Sequence, residues 1–425
     1  MGFDKYKWAI ISKDTFCYFA DELQAFGVDG TIPAHADQNM QYAMELMKQR
    51  LEKKDISCKY LIRPRGYKTA SGFTRSWRDD RYSTESDLRD CEVIRIVERD
   101  GKKIFYEKKR RQLRQYITNL VYGNKAEKDL YTCPSCGAIS TIGELRETGC
   151  PYCGSHFQTT DLFPKVSGYS IEETAFSSSG ELKKSVFSLI IFLVLLFGFG
   201  MYAITCFSSA WADAMLSYRI LYSAMVGLVV GVPLGYIVWA TGKLLEVFGV
   251  TGKRIVVNSN KSGAKKKFEG EMMKYTPEFS YEFFSNKVIS MLRTVLFAND
   301  EEQLLYYIGE PLNGAFDDVV SSECPGEVGI DKFNITDGHC NICARLYMDD
   351  ILYNGRKARA KRRLYRVYLY KNLNVPVDMY FSVKTIRCKS CGASFDATRA
   401  RSCPSCGSRY AIGNDDWVVL KVEVV

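Results

Sequence analysis

Two stretches of the chain contain no Asp, Glu, Lys or Arg: VFSLIIFLVLLFGFGMYAITCF at 186–207 and ILYSAMVGLVVGVPLGYIVWATG at 220–242. At about 1.5 Å rise per helical residue, each reaches the roughly 30 Å of a bilayer's hydrocarbon core. Buried core helices rarely run that far without a charge, so the pattern predicts a transmembrane helical hairpin at 186–242. Outside it the periodicities are those of a folded protein. Residues 37–54 place Met40, Ala43, Met44, Met47 and Leu51 on one helical face with charges opposite. Residues 278–299 place Phe279, Phe283, Val288, Met291, Leu292 and Val295 in the same way. Asp300 is set to cap a helix over DEEQLLYYIG, and LNGAFDDVV after Pro311 reads as a further short helix. Residues 65–90 are polar and unperiodic, which predicts a long loop. Strand pairs flank the turns Asp100-Gly101 and Asn354-Gly355, with EVGIDKFNI ahead of the second pair. Helices followed by antiparallel strands predict an α+β fold.

The hairpin divides the 425 residues into two arms, each long enough for a domain of its own. The expected order is an N-terminal cytosolic α+β arm at 1–130, a cysteine-rich ribbon at 131–160, the hairpin, a basic juxtamembrane linker at 243–269, an α+β domain at 270–387 and a second ribbon at 388–425. The first residues, MGFDKYKWAIISKDTFCYF, mix charge into their apolar positions and do not read as a cleaved signal peptide. The arms repeat each other weakly. KKRRQLRQY at 108–116 matches AKRRLYRVY at 360–368, each follows a turn glycine, and each leads to a cysteine quartet.

Charge sets the expected orientation. Lys183 and Lys184 precede the first apolar stretch, and Lys243, Lys253, Arg254, Lys261, Lys265, Lys266 and Lys267 follow the second. Basic flanks stay on the cytoplasmic side, so the reading is a two-pass protein of the cell membrane with both termini cytoplasmic. Fifteen cysteines in reducing arms then point away from disulfides.

Eight of those cysteines form two quartets, Cys133, Cys136, Cys150 and Cys153, then Cys388, Cys391, Cys403 and Cys406, each built from two C-x-x-C-G knuckles. A knuckle puts two sulfurs on one side of a tight turn, and two knuckles close a tetrahedron around zinc. Two structural zinc sites are expected. Four thiolates leave no open position, so neither site is expected to be hydrolytic. Two zinc ions and eight thiolates bring the formal charge of +9 down to about +5, an ordinary balance beside an anionic leaflet.

The remaining candidates are less specific. His156 follows an already complete quartet and reads as a surface residue. Cys340 and Cys343 fall on opposite faces of a strand, and Cys17, Cys58, Cys91, Cys206 and Cys324 follow no ligand spacing. Lys253, Arg254, Lys261, Lys265, Lys266 and Lys267 suit lipid headgroups at a membrane surface. The run from Arg356 to Arg366 projects as a strand end, either a solvated edge or a binding patch. Gly227, Gly231 and Gly235 make a flat stripe that suits close helix packing, against Gly198 and Gly200 within a hairpin or across a homodimer. No phosphate-binding glycine loop, H-E-x-x-H motif or nucleophile elbow is present, and no enzyme is expected.

The stretch FSYEFFSNKVISMLRTVLFANDEEQLLYYIGEPL, the strands that follow it to about Val383, and the segment Asn414-Asp-Asp-Trp417-Val-Val resemble bacterial Tim-forty-four-like domain proteins with an appended CPxCG ribbon. The family takes its name from a membrane-associated scaffold of the mitochondrial import motor and has the cone fold of nuclear-transport-factor-like proteins. The resemblance covers roughly residues 270–425. It implies a curved sheet wrapped by helices, a cavity for a lipid, peptide or partner, and no catalytic set. It carries over only the ligands Cys388, Cys391, Cys403 and Cys406, and the first arm is expected to depart from it. The function so implied is a membrane-anchored scaffold or ligand-binding module. A nucleic-acid or ribosome-associated membrane protein is the alternative.

Overall fold

The computed structural model describes residues 18–64, 71–121, 125–173, 179–208, 211, 213–326, 328–375, 381–410 and 412–425. The polypeptide is a mixture of helices and antiparallel sheet. Its first half runs through helix α1 (18–29), α2 (Gln38–Lys53), β1 (Ser57–Pro64), β2 (Ser71–Arg78), β3 (Tyr82–Arg99) and β4 (Lys102–Leu120). The first quartet follows, with β5 (Leu130–Thr132), β6 (Ile139–Thr141), α3 (Ile142–Glu147) and α4 (Thr159–Leu162), and β7 (Lys165–Glu173) closes the half. Two long apolar helices come next, α5 (Ser179–Phe207) and α6 (Leu216–Met272). The second half comprises α7 (Tyr281–Phe297), β8 (Val319–Glu323), β9 (Gly329–Thr336), β10 (His339–Tyr353) and β11 (Ala358–Asn372). Its quartet carries β12 (Ile386–Arg387) and β13 (Ser394–Phe395), and β14 (Val418–Val424) ends the chain.

The halves share one topology. In the first sheet the order is β1-β3-β4-β7 with β2 beside β3; in the second it is β8-β10-β11-β14 with β9 beside β10. Each half thus has a helix, two strands, a long hairpin, a quartet, and a return strand that pairs with the second arm of its hairpin. The weak repeat between the arms thus extends to their strand order.

Several expectations are corrected here. The long loop at 65–90 is largely sheet: β2 and the start of β3 lie in it, held by pairs such as Thr84 opposite Thr118. Inside the sheet Thr84 Oγ1 lies 2.7 Å from Thr118 Oγ1 of β4. LNGAFDDVV is not a helix; residues 313–318 are turns and Val319 opens β8. DEEQLLYYIG yields only one 3-10 turn, Glu301–Gln303, although Asp300 does cap it by accepting from Gln303 N. Strand pairing wins there: Val419 N donates to Tyr306 O at 2.7 Å and Ile308 N donates to Val419 O at 3.0 Å. The basic juxtamembrane span 243–269 is helical, because α6 runs through it to Met272.

The two arms are also not separate domains. The described parts of Met1–Glu173 and Lys261–Val425 form one compact unit, and Thr174–Asn260 form the other. One hydrophobic core takes Phe19, Leu46 and Val97 from the first half and Phe284, Leu296 and Trp417 from the second. Arg95, six residues before Gly101, donates from Nη1 to the carbonyl of Asp349, six residues before Gly355. Arg99, two before Gly101, donates to the hydroxyl of Tyr353, two before Gly355. Residues that touch their own counterparts mark an approximate twofold relation between the halves, as in an isologous interface.

In the second unit the glycine stripe has a definite use. A Cβ added to Gly231 would stand 2.6 Å from Val194 Cα, one at Gly227 3.1 Å from Gly198 Cα, and one at Gly235 3.0 Å from Ile190 Cα. The stripe therefore packs on α5 within the chain, while Gly200 faces nothing within 4 Å. Phe187–Phe207 and Leu216–Thr241 are long and apolar enough to cross a membrane, and Phe192, Phe199, Leu221 and Val229 are exposed on them.

Candidate metal centres

Each quartet begins from the same backbone arrangement. Gly137 N donates to Cys133 O and Cys133 N to Ala138 O; Gly392 and Cys388 repeat this with Cys388 O and Ala393 O. The second knuckles, at Cys150 and Cys403, close in the same way. The turn needs a left-handed residue after each pair, and the four glycines there have φ between 72° (Gly154) and 76° (Gly392).

These turns bring the sulfurs together. Cys133 and Cys153 are 3.7 Å apart, as are Cys136 and Cys150. Cys388 and Cys406 are 3.6 Å apart, as are Cys391 and Cys403. Four sulfurs each about 2.3 Å from one centre stand about 3.8 Å from each other, so both groups fit a tetrahedral ion. All donor atoms of each group lie within 4.8 Å of one another. Cys153 Sγ is 3.4 Å from Ser155 Oγ, and Cys406 Sγ is 3.2 Å from Ser408 Oγ. These seryl groups hydrogen-bond the Cys153 and Cys406 sulfurs and lower those thiols, while neighbouring cysteines and burial raise Cys136 and Cys391. Both quartets therefore suit metal binding at two structural sites.

His156 is exposed beside Gly149 and is not among the four ligands. Cys340 and Cys343 are buried, and a bulge between Cys343 and Ala344 interrupts the alternation there. Cys58, Cys91 and Cys324 are buried small residues, Cys206 is exposed on α5, and Cys17 lies outside the described residues.

The basic sets divide. Lys265 pairs with Glu282 at 3.2 Å and lies over the Tyr281 ring, Lys267 lies over the Phe333 ring, and Lys266 is exposed. The side chains of Lys253, Arg254 and Lys261 lie outside the described residues. From Arg359 to Arg362 the strand is exposed, with Arg362 on Asp349 and Arg363 on Asp350. The contact of Arg99 with the Gly355 carbonyl sets the two hairpin tips side by side, which no local pattern in the sequence signalled. Lys102, Lys103, Arg356, Lys357, Arg359 and Lys361 thereby gather at one end of the unit, with no side-chain ion pair among the described residues.

The interior between the halves is nearly filled. A cavity of about 30 Å³, room for one water, is lined by α2, α7, Tyr60, Tyr169 and Glu323. In its polar lining Arg293 donates to Glu323 at 3.0 Å and stacks over Tyr169, the Tyr60 hydroxyl meets Ser321, and the Asn286 amide nitrogen has no partner among the described residues. No known protein family, curated protein or solved structure matches the chain.

Proposed function

We propose that the protein is a membrane-anchored scaffold whose two zinc-stapled halves make one rigid binding body on the cytoplasmic face. The observation that carries this is the joint core of the halves, which are separated in sequence by two candidate spans. Halves that share a core lie on the same side of a bilayer, which an even number of crossings provides, and the basic flanks favour the cytoplasmic side. Zinc is the metal of choice because four thiolates in a tetrahedron suit it. The resemblance to Tim-forty-four-like domains belongs to this proposal, as does a cone-like curvature of each half. The filled interior favours recognition of a protein or lipid on the outer surface over capture of a ligand inside. The packed glycine stripe leaves a homodimer to use other surfaces.

The joined hairpin tips favour a second reading, in which their unpaired cations hold nucleic acid or a ribosome. Photoreactive residues at Tyr106 and Lys361, in cells with and without nuclease, separate the two. One dominant protein or lipid adduct that survives nuclease is expected. Adducts to nucleic acid or ribosomal proteins, lost on digestion, would replace the scaffold by the second reading.

A further inference from the structure

The second quartet carries more charge than a metal site requires. Beside Cys388 opens a cavity of about 170 Å³ lined by Arg387, Lys389, Ser390, Ser408, Arg409 and Tyr410. Asp415 also lines it; its carboxylate pairs with Lys389 and its carbonyl accepts from Lys371 Nζ at 2.7 Å. Neither Arg387 nor Arg409 has a side-chain partner among the described residues. The buried Tyr410 hydroxyl, under the influence of Asp415, has no hydrogen-bond partner of normal geometry.

The chain supplies its own control. Aligned on the cysteines, the first quartet has Ser135 and Ser155 where the second has Ser390 and Ser408. Where the second has Arg387, Lys389, Arg409 and Tyr410, the first has Thr132, Pro134, His156 and Phe157. A divalent ion on four thiolates leaves a net double negative charge that nearby cations would offset. The first quartet has no lysine or arginine at those positions, and the guanidinium of Arg399 comes near its Gly137 turn instead.

We infer that this cavity binds a phosphate monoester. Two guanidinium forks without side-chain partners among the described residues, Arg387 and Arg409, suit phosphate oxygens. The seryl and phenolic hydroxyls offer further donors. The volume admits a phosphate with the first atoms of whatever it esterifies and excludes a duplex. The inference does not depend on the membrane reading.

The test uses the full chain in phosphatidylcholine nanodiscs and the variant R387T/R409H/Y410F, which installs residues the first knuckles already accommodate. Titration with glycerol phosphate by calorimetry probes a soluble source. Flotation with phosphatidylcholine vesicles carrying phosphatidic acid probes a lipid source. The expected result is saturable binding in at least one arm, weakened about tenfold or more in the variant at unchanged metal content. The positive arm identifies the source. If the triple variant loses metal, R387T alone carries the same comparison. Absence of binding in both arms, or binding equal in wild type and variant, overturns the inference.

Discussion

Arg50, a charge three residues after Met47 and seven after Ala43, flanks the apolar face of α2 and is 1 % exposed. Its Nη2 donates to Ala298 O at 2.6 Å, its Nη1 to Phe316 O at 2.9 Å, and its Nε to Asn299 Oδ1 at 2.7 Å. A first-half guanidinium thus satisfies the Ala298 carbonyl that ends α7 and the Phe316 carbonyl ahead of β8. Arg50→Met should cost about 3 kcal/mol by leaving buried carbonyls without donors. Lys53→Met, which removes the same charge from an exposed site, should change stability by less than about 0.5 kcal/mol. Equal losses in thermal melts of the purified chain would remove this role from Arg50. Asp37 gives a pH dependence. It caps α2 by accepting from Met40 N at 2.8 Å, and desolvation pushes its carboxyl up to about 7, against the pull of Met40 N–H and Lys287. Between the ordinary value of 3.8 and about 7 the folded chain binds more protons than the unfolded one. Its contribution to stability therefore falls as pH rises through that window and is level above it. Asp37→Asn keeps the cap, so its melting temperature should exceed wild type at pH 8 and converge with it near pH 4. A constant offset across that range would count against the assignment.

At the scale of elements, the glycine stripe makes a paired prediction. Gly231→Leu should force α5 and α6 apart, and Gly200→Leu should not, because only the first meets backbone. Spin labels on the two helices in nanodiscs would read the separation; equal distances in both variants would discard the packing. What the sequence revealed about elements follows from how they are buried. Strands β10 and β11 were legible because they flank a clear turn and β11 alternates from Leu364 to Asn372. Strand β8 was not, since all five of its residues are buried and the period of two vanishes. The quartets were legible because their chemistry is local: the knuckle spacing needs no distant partner. Arg50, the paired hairpin tips and the cavity beside Cys388 depend on residues far apart in sequence, and no window along the chain contains them.

For the whole molecule, the two quartets differ in what they brace. Cys388 and Cys403 belong to the core shared by both halves, whereas Cys133 and Cys150 pack in a smaller cluster with Trp77, Tyr82 and Phe283. Cys136→Ser and Cys391→Ser should each lower bound metal from two ions to one per chain. Cys391→Ser should lower the melting temperature more, and the reverse order would contradict this division of the core. Cleavage introduced between Ser208 and Ala214 should leave both fragments together through purification in detergent; separation would show that the halves do not hold one another.

Arg95 and Asp349 meet although they stand 254 positions apart in the sequence. At about 5–20 residues per second, a ribosome needs roughly 13–50 s to deliver the second after the first. During that interval the first half has left the tunnel with the apolar face of α2 uncovered, and both candidate spans must be made before its cover exists. Synthesis order thus turns a stable joint core into a prolonged exposure of the nascent chain. Slowing translation within the hairpin should raise aggregation or chaperone occupancy of the first half, while leaving the finished protein unchanged.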